Sequence, residues 1–242
     1  MELDHLLYVG PDLARLVRDL TDLSGLTASV GGKHPGQGTH NALLGLGPDS
    51  YLELMAPDPE QSAAPGASAP GAAPPGTFLR SIAYAATPQV FTWCAKARDA
   101  GATASAARAL GLEVTVYGGS RVTPAGATLR WDLIIVDGHG LGGVVPFLID
   151  WHDSPHPARA LHERAAGANG LRLDRLELRH PDPAAVTNLL RGLSTAGGAP
   201  ANRPLEVAVR HAPQPGIVAK LTGPAGPFEL SGRGGQLVTR GS

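Results

Sequence analysis

The sequence contains few of the residues that build covalent or strongly charged frameworks. Cys94 is the single cysteine among 242 residues, which excludes an internal disulfide and any site built on a Cys-x-x-Cys pair. Lysine is also scarce, since Lys33, Lys96 and Lys220 are the only three and lie far apart, and the formal net charge is −1. The chain therefore has no basic cluster with which to attract nucleic acid or an anionic membrane.

Long apolar runs are absent as well. No segment approaches the roughly 20 apolar residues that a membrane-spanning helix needs. The opening residues, MELDHLLYVG, enter a strand pattern at once and lack the basic and apolar regions of a signal peptide, so we expect a cytoplasmic protein. Hydrophobic residues at 43% and charged residues at 17% are typical of a globular domain. The excess of Ala, Gly, Pro and Arg over Lys is typical of a bacterial protein from a GC-rich genome.

Three stretches of the chain share one design, in which a short apolar strand passes through a proline-containing turn into a helix. Asp12 is placed to cap the first helix. The second helix is expected to use Thr87 as its cap with Pro88 as its first residue, and the third to use Asp182 and Pro183. Extended segments separated by glycine follow each helix. Each unit therefore has the order β-α-β-β-β, which predicts an α+β fold of tandem units and disfavours a doubly wound nucleotide-binding fold.

The repeat predicts three units, 1–56, 78–152 and 171–242, joined by connectors at 57–77 and 153–170. The first connector is rich in Pro, Ala, Gly and Ser, and the second is expected to contain a short helix around 158–166. In this assignment the second unit begins with the strand SIAYA, and Cys94 falls in a helix. We interpret Cys94 as a small buried thiol and not as a reactive one.

The stretch GGKHPGQGTHN, residues 31–41, has the composition of a phosphate-binding loop, a metal site or a glycine-rich turn. A phosphate-binding loop needs a helix N-terminus after it, whereas two extended segments follow here, so that reading is disfavoured. Two interpretations stay open. Either His34, Thr39, His40 and Asn41 offer donors and acceptors to a small oxygen-rich ligand, or the loop's side chains satisfy its own backbone.

Four motifs together resemble a known family. They are LDHLLYV in the first strand, GG-x-HPG-x-GT-x-N over residues 31–41, YLEL over 51–54, and W…PF-x-I-x-W-x-D-x-x-HP from Trp131 to Pro157. On these motifs the chain resembles the vicinal oxygen chelate superfamily, and within it the branch of glyoxalase-like domain proteins. The resemblance covers residues 1 to about 157, and the third unit shares only the general shape of the repeat.

The resemblance implies that two units curve into a cup that holds a divalent metal (Zn, Mn, Ni, Co or Fe), with ligands on the first and fourth strands. The matching residues are His5 and Glu53. Their chemistry agrees, because imidazole and carboxylate groups bind such metals and because a carboxylate among apolar neighbours needs a partner. Strand alternation places His5 on the same face as Leu3 and Leu7. Pairing of Glu53 with His5 or with an arginine, without a metal, is the alternative.

The second unit does not supply a matching pair of ligands. The predicted strand SIAYA carries no donor where His5 stands in the first unit. Its last strand offers Asp150, which joins Glu53 as a candidate catalytic residue. Asp150, His40 and Glu229 compete to be the third ligand, and the missing second histidine disfavours an extradiol dioxygenase.

Other candidates would contact substrate. Arg121 could clamp a carboxylate or ketone oxygen, or it could be a solvated arginine on a strand edge. Trp131 and Trp151 either line the cup or fill the core. His152 and His156 are four residues apart across a proline, which is a poor arrangement for a paired zinc site.

The expected function is that of a divalent-metal-assisted isomerase, lyase or epimerase acting on a small oxygen-rich compound. The metal would stabilise an enediolate-like intermediate as a Lewis acid, and Glu53 or Asp150 would move the proton. A metal-free binding or resistance protein for antibiotic-type molecules and a metal-free biosynthetic enzyme are the alternatives. The expected partner is a small molecule, without nucleic acid or membrane, and a homodimer formed through edge strands is compatible with this architecture.

Overall fold

The computed structural model describes residues 1–61, 74, 76–83, 85–122, 128–164, 170–196 and 207–236. These residues form five α-helices, one short 3-10 helix (Gly142–Val144) and twelve strands, and the strands belong to two sheets. Most of the connector expected at 57–77 lies outside the described residues. Among the helices described, none has the length and apolar character needed to span a membrane.

The first unit has the element order that the sequence predicts. Its strands are β1 (Leu3–Val9), β2 (Ser29–His34), β3 (Thr39–Gly45) and β4 (Tyr51–Pro57), with helix α1 (Leu13–Ser24) after β1. The Asp12 side chain accepts a hydrogen bond from the Arg15 backbone N–H at 2.6 Å and so caps α1 as expected. The glycine-rich stretch forms the β2–β3 hairpin, and no helix follows it.

The first strand of the second unit comes later than the sequence pattern indicated. Its elements are α2 (Thr77–Ile82), β5 (Gln89–Lys96), α3 (Ala100–Ala109), β6 (Glu113–Val122), β7 (Thr128–Asp137) and β8 (Phe147–Asp150). The predicted strand SIAYA and the helix starting at Pro88 are therefore wrong, and Cys94 lies in a strand. The segment QVFTWCAK is buried on both faces, so it carries no period-2 signal that would distinguish a strand from a buried helix.

The eight strands of the first two units form one curled sheet of order β2-β3-β4-β1-β5-β8-β7-β6. Strand β1 pairs in parallel with β4, as β5 does with β8, and β1 and β5 join the units in antiparallel orientation. The two halves are thus arranged alike about the β1–β5 junction. The curl brings the edges together, because Arg121 in β6 donates a hydrogen bond from Nη1 to the Gly31 carbonyl oxygen in β2 at 2.9 Å.

The third unit has the expected element order but a different strand pairing. It consists of β9 (Arg172–His180), α5 (Pro183–Ala196), β10 (Val207–His211), β11 (Gly216–Gly223) and β12 (Gly226–Gly232). Its sheet has the order β10-β9-β11-β12, so its first strand pairs with the second and third strands of the unit and not with the fourth. This unit is therefore not a third copy of the half-sheet.

The third unit covers the convex face of the large sheet. Strands β11 and β12 pack against β5, and α5 packs against α3. Leu176, Leu178 and Ile217 share one core with Trp93 of β5. The connector helix predicted around 158–166 is present as α4 (Pro157–Arg164), which packs against β3, and residues 165–169 lie outside the described part of the chain. The concave face is left to form a cavity.

Candidate functional site

The concave face of the eight-stranded sheet forms a cavity with about 620 Å³ of empty space, a volume that includes solvent at its open side. The two halves of the sheet line this cavity with different chemistry. The first unit supplies the polar side chains, which are His5, His34, Asn41 and Glu53. The second unit supplies an apolar wall and one cation, which are Trp131, Leu133, Phe147, Ile149, Trp151 and Arg121.

His5 and Glu53 meet inside the cavity. His5 Nε2 lies 3.5 Å from Glu53 Oε2, and the two residues are only 4% and 7% exposed. They converge because β1 and β4 are parallel neighbours with Leu7 opposite Glu53, so His5 stands two residues away on the same face. The Tyr51 ring stacks on the His5 imidazole with 4.7 Å between centroids and holds it in place.

Asp4 fixes the orientation and the tautomer of His5. The Asp4 carboxylate is fully buried, and its Oδ2 accepts from Trp151 Nε1 at 2.9 Å and from His156 Nε2 at 3.0 Å. His156 Nδ1 accepts from the Ala158 backbone N–H, so the His156 proton is on Nε2. Asp4 Oδ1 lies 2.8 Å from His5 Nδ1, which must therefore be the donor. In the neutral His5 ring the Nε2 lone pair then faces the cavity.

The ionisation of Asp4 is consistent with this network. Burial by itself raises the pKa of Asp4, but the hydrogen bonds from His156 and His5 outweigh it and hold the pKa well below its usual range. Asp4 is therefore an anion, and its two oxygens are already occupied by three donors.

A second imidazole faces the same carboxylate from the hairpin. Asn41 Nδ2 donates to Glu53 Oε1 at 2.6 Å and to His34 Nε2 at 3.2 Å, and His34 Nδ1 lies 2.8 Å from Thr39 Oγ1. His34 Nε2 is 3.8 Å from Glu53 Oε1. Burial, opposed by Glu53 and reinforced by Arg121, lowers the pKa of His34, so its ring is neutral. Thr39 thus bonds His34 at Nδ1 without lining the cavity itself, whereas His34 and Asn41 both line it.

Glycines in β2 and β6 make room for two of these side chains. A Cβ on Gly31 would overlap the Asn41 side-chain oxygen, and a Cβ on Gly119 would overlap the indole of Trp131. Each glycine therefore lets a large side chain from the neighbouring strand lie flat across it, facing the cavity. The glycine-rich stretch is a hairpin whose side chains bond one another, and two of them, His34 and Asn41, line the cavity; that they bind a ligand stays a prediction.

The donor set fits a divalent cation. His5 Nε2 and Glu53 Oε2 lie 3.5 Å apart, and two acceptors in this position need a proton, a water donor or a metal ion between them. His34 Nε2 could serve as a third donor only by giving up its hydrogen bond from Asn41 Nδ2, and both imidazoles use Nδ1 to bond a supporting group, as metal-binding histidines do. Two imidazoles and one carboxylate suit the first-row divalent metals.

A compact group of metal-binding residue types lies behind His5. Within the described residues, one ligand atom from each of Asp4, His5 and Cys94 lies within 4.8 Å of the others. We interpret this group as support for His5 and not as a metal site, because the Asp4 oxygens are already taken. Burial also raises the pKa of the Cys94 thiol well above its ordinary value, with Asp4 and Glu53 adding to the shift, so the thiol is protonated.

Besides Thr39, three residues expected in or near the site lie outside the cavity lining. Asp150 accepts from the Ala100 and His152 backbone N–H groups at 2.9 and 2.8 Å, so its carboxylate faces the start of α3. His40 lies on the opposite face of β3 from Asn41, and Glu229 forms an exposed ion pair with Lys220 in the small sheet at 3.2 Å. The structure therefore corrects the expectation that one of these three would be the third ligand.

Strand register explains the missing ligands in the second half. His5 is opposite Tyr51 in the β1–β4 pair, and Cys94 is opposite Phe147 in the β5–β8 pair. In the second half of the sheet, Cys94 thus occupies the position that His5 occupies in the first half, and Ile149 occupies the position of Glu53. Asp150 follows Ile149 directly, and a shift of one residue turns a side chain to the other face of a sheet.

Sequence reasoning missed Asp4, Tyr51 and the role of His156. The signal for Asp4 was present, since a carboxylate in the apolar strand LDHLLYV needs a buried partner. Strand alternation predicts that Asp4 and His5 face opposite sides of the sheet. The donors on Trp151 and His156 are too far along the chain to be inferred from the sequence. His152 lies 3.3 Å from Asp132, whereas His156 bonds Asp4.

The comparisons with known proteins agree with this architecture. The model of the glyoxalase-like domain family matches residues 3–194. A hypothetical protein from Staphylococcus aureus superposes with a TM-score of 0.61 at 14% identity, covering 98% of this chain and 88% of that one. Because that match extends over nearly the whole chain, it includes the third unit in the shared fold.

Methylmalonyl-CoA epimerases give more limited matches. The enzyme from Mycobacterium tuberculosis has a TM-score of 0.42 at 22% identity over 62% of this chain and 88% of its own. A variant of the Streptomyces coelicolor enzyme in complex with 2-nitronate-propionyl-CoA has a TM-score of 0.45 at 19% identity over 65% and 99%. No protein of curated function matches the sequence significantly.

Proposed function

This chain belongs to the glyoxalase-like domain family, and from that membership we propose that it is an isomerase, lyase or epimerase that moves a proton on a small oxygen-rich molecule. The observation that supports the proposal is the approach of His5 Nε2 to Glu53 Oε2, 3.5 Å apart in a buried cavity. A protein without catalytic or metal-binding function would gain little from two buried acceptors that face each other.

We propose that a divalent metal is held by His5 and Glu53, and that His34 joins them when its Nε2 gives up the hydrogen bond from Asn41 Nδ2. Such an ion supplies Lewis acidity, which stabilises negative charge on a substrate oxygen. The candidates are the borderline metals Zn, Mn, Ni, Co and Fe, which accept imidazole nitrogen together with carboxylate oxygen.

The chain's own residues supply orientation and a base. Asp4 holds the His5 ring through Nδ1, so its Nε2 stays directed into the cavity. Asn41 occupies Glu53 Oε1 at 2.6 Å and leaves Oε2 to interact with a ligand or to accept a proton. The apolar wall opposite, with Phe147 and Ile149, limits the access of water to this carboxylate.

A metal-free function is the second candidate, and one observation favours it. The second half of the sheet places Cys94 and Ile149 where the first half places His5 and Glu53, so the metal would have donors on one side only. In that case the same cavity serves a metal-free biosynthetic enzyme or a protein that binds an antibiotic-type molecule. A proton shared between His5 and Glu53 would then replace the metal.

Metal binding distinguishes the two candidates. Protein freed of metal by a chelator is titrated with Zn²⁺, Mn²⁺, Ni²⁺ and Fe²⁺, and the melting temperature and bound metal are measured. At about a hundredfold excess over the dissociation constant, a metal that binds only the folded state adds about 2.7 kcal/mol of stability. His5→Ala and Glu53→Gln should lose this shift.

The matched control is His40→Ala, which removes a histidine from the same hairpin on the face away from the cavity. It should bind metal as the wild type does. If none of the metals raises the melting temperature of the wild type, the metal-free candidate is favoured. Unchanged metal content in both His5→Ala and Glu53→Gln would refute the site as a whole.

A further inference from the structure

Arg121 is a cation in the cavity without an anionic partner. It lies in β6 among the cavity-lining residues, and its Nη1 donates to the Gly31 carbonyl oxygen at 2.9 Å. No carboxylate of the described residues forms an ion pair with its guanidinium within 4.0 Å. That single bond uses one of the five N–H donors of the group, so the remaining donors are available to a ligand.

The surroundings of Arg121 make an unpaired charge costly. Trp131 and Leu133 line the same wall, and the side chain of Arg121 is only partly exposed. A cation beside apolar groups requires compensation from water or from a bound anion. Glu53 carries the opposite charge in the same cavity, yet the two groups do not pair.

The bond to Gly31 fixes the guanidinium where a ligand would meet it. Gly31 is in β2 and Arg121 is in β6, which are the two outer strands of the curled sheet. The bond therefore holds the charged group between the two edges of the sheet. A guanidinium already held in position loses less rotamer freedom when it binds a ligand.

On the basis of the proposed function, we propose that the cavity binds a small carboxylate with an apolar body, whose carboxylate pairs with Arg121. The oxygen-bearing carbon next to that carboxylate would then face His5 and Glu53. The apolar body would pack against Trp131, Trp151 and Phe147. A carboxylate is favoured over a phosphate because Glu53 in the same cavity would repel a dianion more strongly than a monoanion.

The test compares mandelate with mandelamide, a pair of nearly equal shape that differs in charge. Both are titrated into metal-free protein, so that a metal cannot bind the carboxylate instead. Trp131 and Trp151 line the cavity, so tryptophan fluorescence reports binding. We expect the wild type to bind mandelate about tenfold or more tightly than mandelamide, because the ion pair strengthens the hydrogen bonds.

Arg121→Gln should bind the two compounds equally, and Arg121→Lys should keep part of the preference because it retains the charge without the fork. Arg130→Gln is the matched control, since Arg130 is an exposed arginine beside Trp131 on β7 that does not line the cavity. It should keep the full preference. Urea unfolding of each variant checks that the fold is retained.

Glu53→Gln separates this inference from the proposed function. It should abolish metal binding and yet keep the preference for mandelate, which depends on Arg121. Equal binding of the two compounds by the wild type, absence of saturable mandelate binding, or a preference that survives in Arg121→Gln would each overturn the inference. If the protein binds no metal but still prefers mandelate, the inference about Arg121 holds and the proposed metal site is wrong.

Discussion

The Asp4 carboxylate and the His5 imidazole, adjacent in one strand, are joined by a hydrogen bond of 2.8 Å between Oδ1 and Nδ1. Neighbouring residues in a strand normally face opposite sides of the sheet. Here Asp4 is fully buried, and its second oxygen accepts from Trp151 and His156 of the second half of the chain. The network thus connects the cavity's polar wall to the segment that follows β8.

We predict that Asp4→Asn destabilises the protein and misorients His5. An asparagine places an N–H₂ group against one of the three donors, and breaking a buried charged network costs about 2–4 kcal/mol. Urea unfolding measures this loss. The nitrogen chemical shifts of His5 should move toward the Nε2–H tautomer, and metal affinity should fall about 10–100-fold.

Asp99→Asn is the control for this change. Asp99 caps α3 by accepting from the Ala102 backbone N–H at 2.8 Å, and asparagine caps a helix equally well. Its free energy of unfolding should stay within about 0.5 kcal/mol of the wild type. An unchanged His5 tautomer in Asp4→Asn would show that Asp4 stabilises the fold without positioning His5.

The two cavity tryptophans should differ in their response to phenylalanine. Trp151 Nε1 donates to Asp4 Oδ2 at 2.9 Å, so Trp151→Phe leaves the buried carboxylate with one donor fewer and should cost about 1–3 kcal/mol. Trp131 Nε1 has no hydrogen-bond partner among the described residues, so Trp131→Phe should lower the unfolding free energy less. Equal losses in urea unfolding would contradict the network.

Gly31→Ala should displace Asn41. The new methyl group would overlap the Asn41 side-chain oxygen, and such overpacking costs about 1–3 kcal/mol. Because Asn41 also donates to Glu53, we expect the substitution to lower both the stability of the protein and its affinity for metal. Gly101→Ala, in the exposed first turn of α3, is the control and should be neutral or stabilising by up to about 1 kcal/mol. Both effects are measured by urea unfolding and metal titration.

Cys94 should be unreactive in the folded protein. Burial, with the nearby charges of Asp4 and Glu53, raises the pKa of its thiol well above the ordinary 9.0. Iodoacetamide at mildly alkaline pH should therefore modify the protein in concentrated urea but not in buffer. Rapid alkylation of the folded protein would show that the thiol is accessible.

The same shift predicts a loss of stability in alkali. The unfolded thiol ionises near pH 9.0, below the pKa of the folded one, so above that pH the unfolded state releases its proton first. The stability that Cys94 contributes is fully present below this pH and is lost progressively as the pH rises from there toward the higher pKa of the folded thiol. Urea unfolding from neutral to alkaline pH should show a smaller decline in Cys94→Ala than in the wild type.

The second unit shows where sequence reasoning failed. Strand β5 is buried on both faces, so QVFTWCAK lacks the alternation that identified β1 and β4. Helix α3, AGATASAARA, is rich in alanine and has no strong apolar stripe, so the pattern of a packed helix is weak there. Thr87 and Pro88 resembled a helix start, yet Asp99 is the residue that caps the helix.

The sequence by itself determined the local features of this protein: the cap at Asp12, the strands around His5 and Glu53, the hairpin of the glycine-rich stretch, and the family. These depend on neighbouring residues and on side-chain periodicity, which a single sequence contains. Only the tertiary structure decided that Ile149 and not Asp150 faces the cavity, that His34 joins His5 at Glu53, and that the third unit pairs its strands differently. Those outcomes depend on register between distant strands, where one residue of shift reverses every side chain.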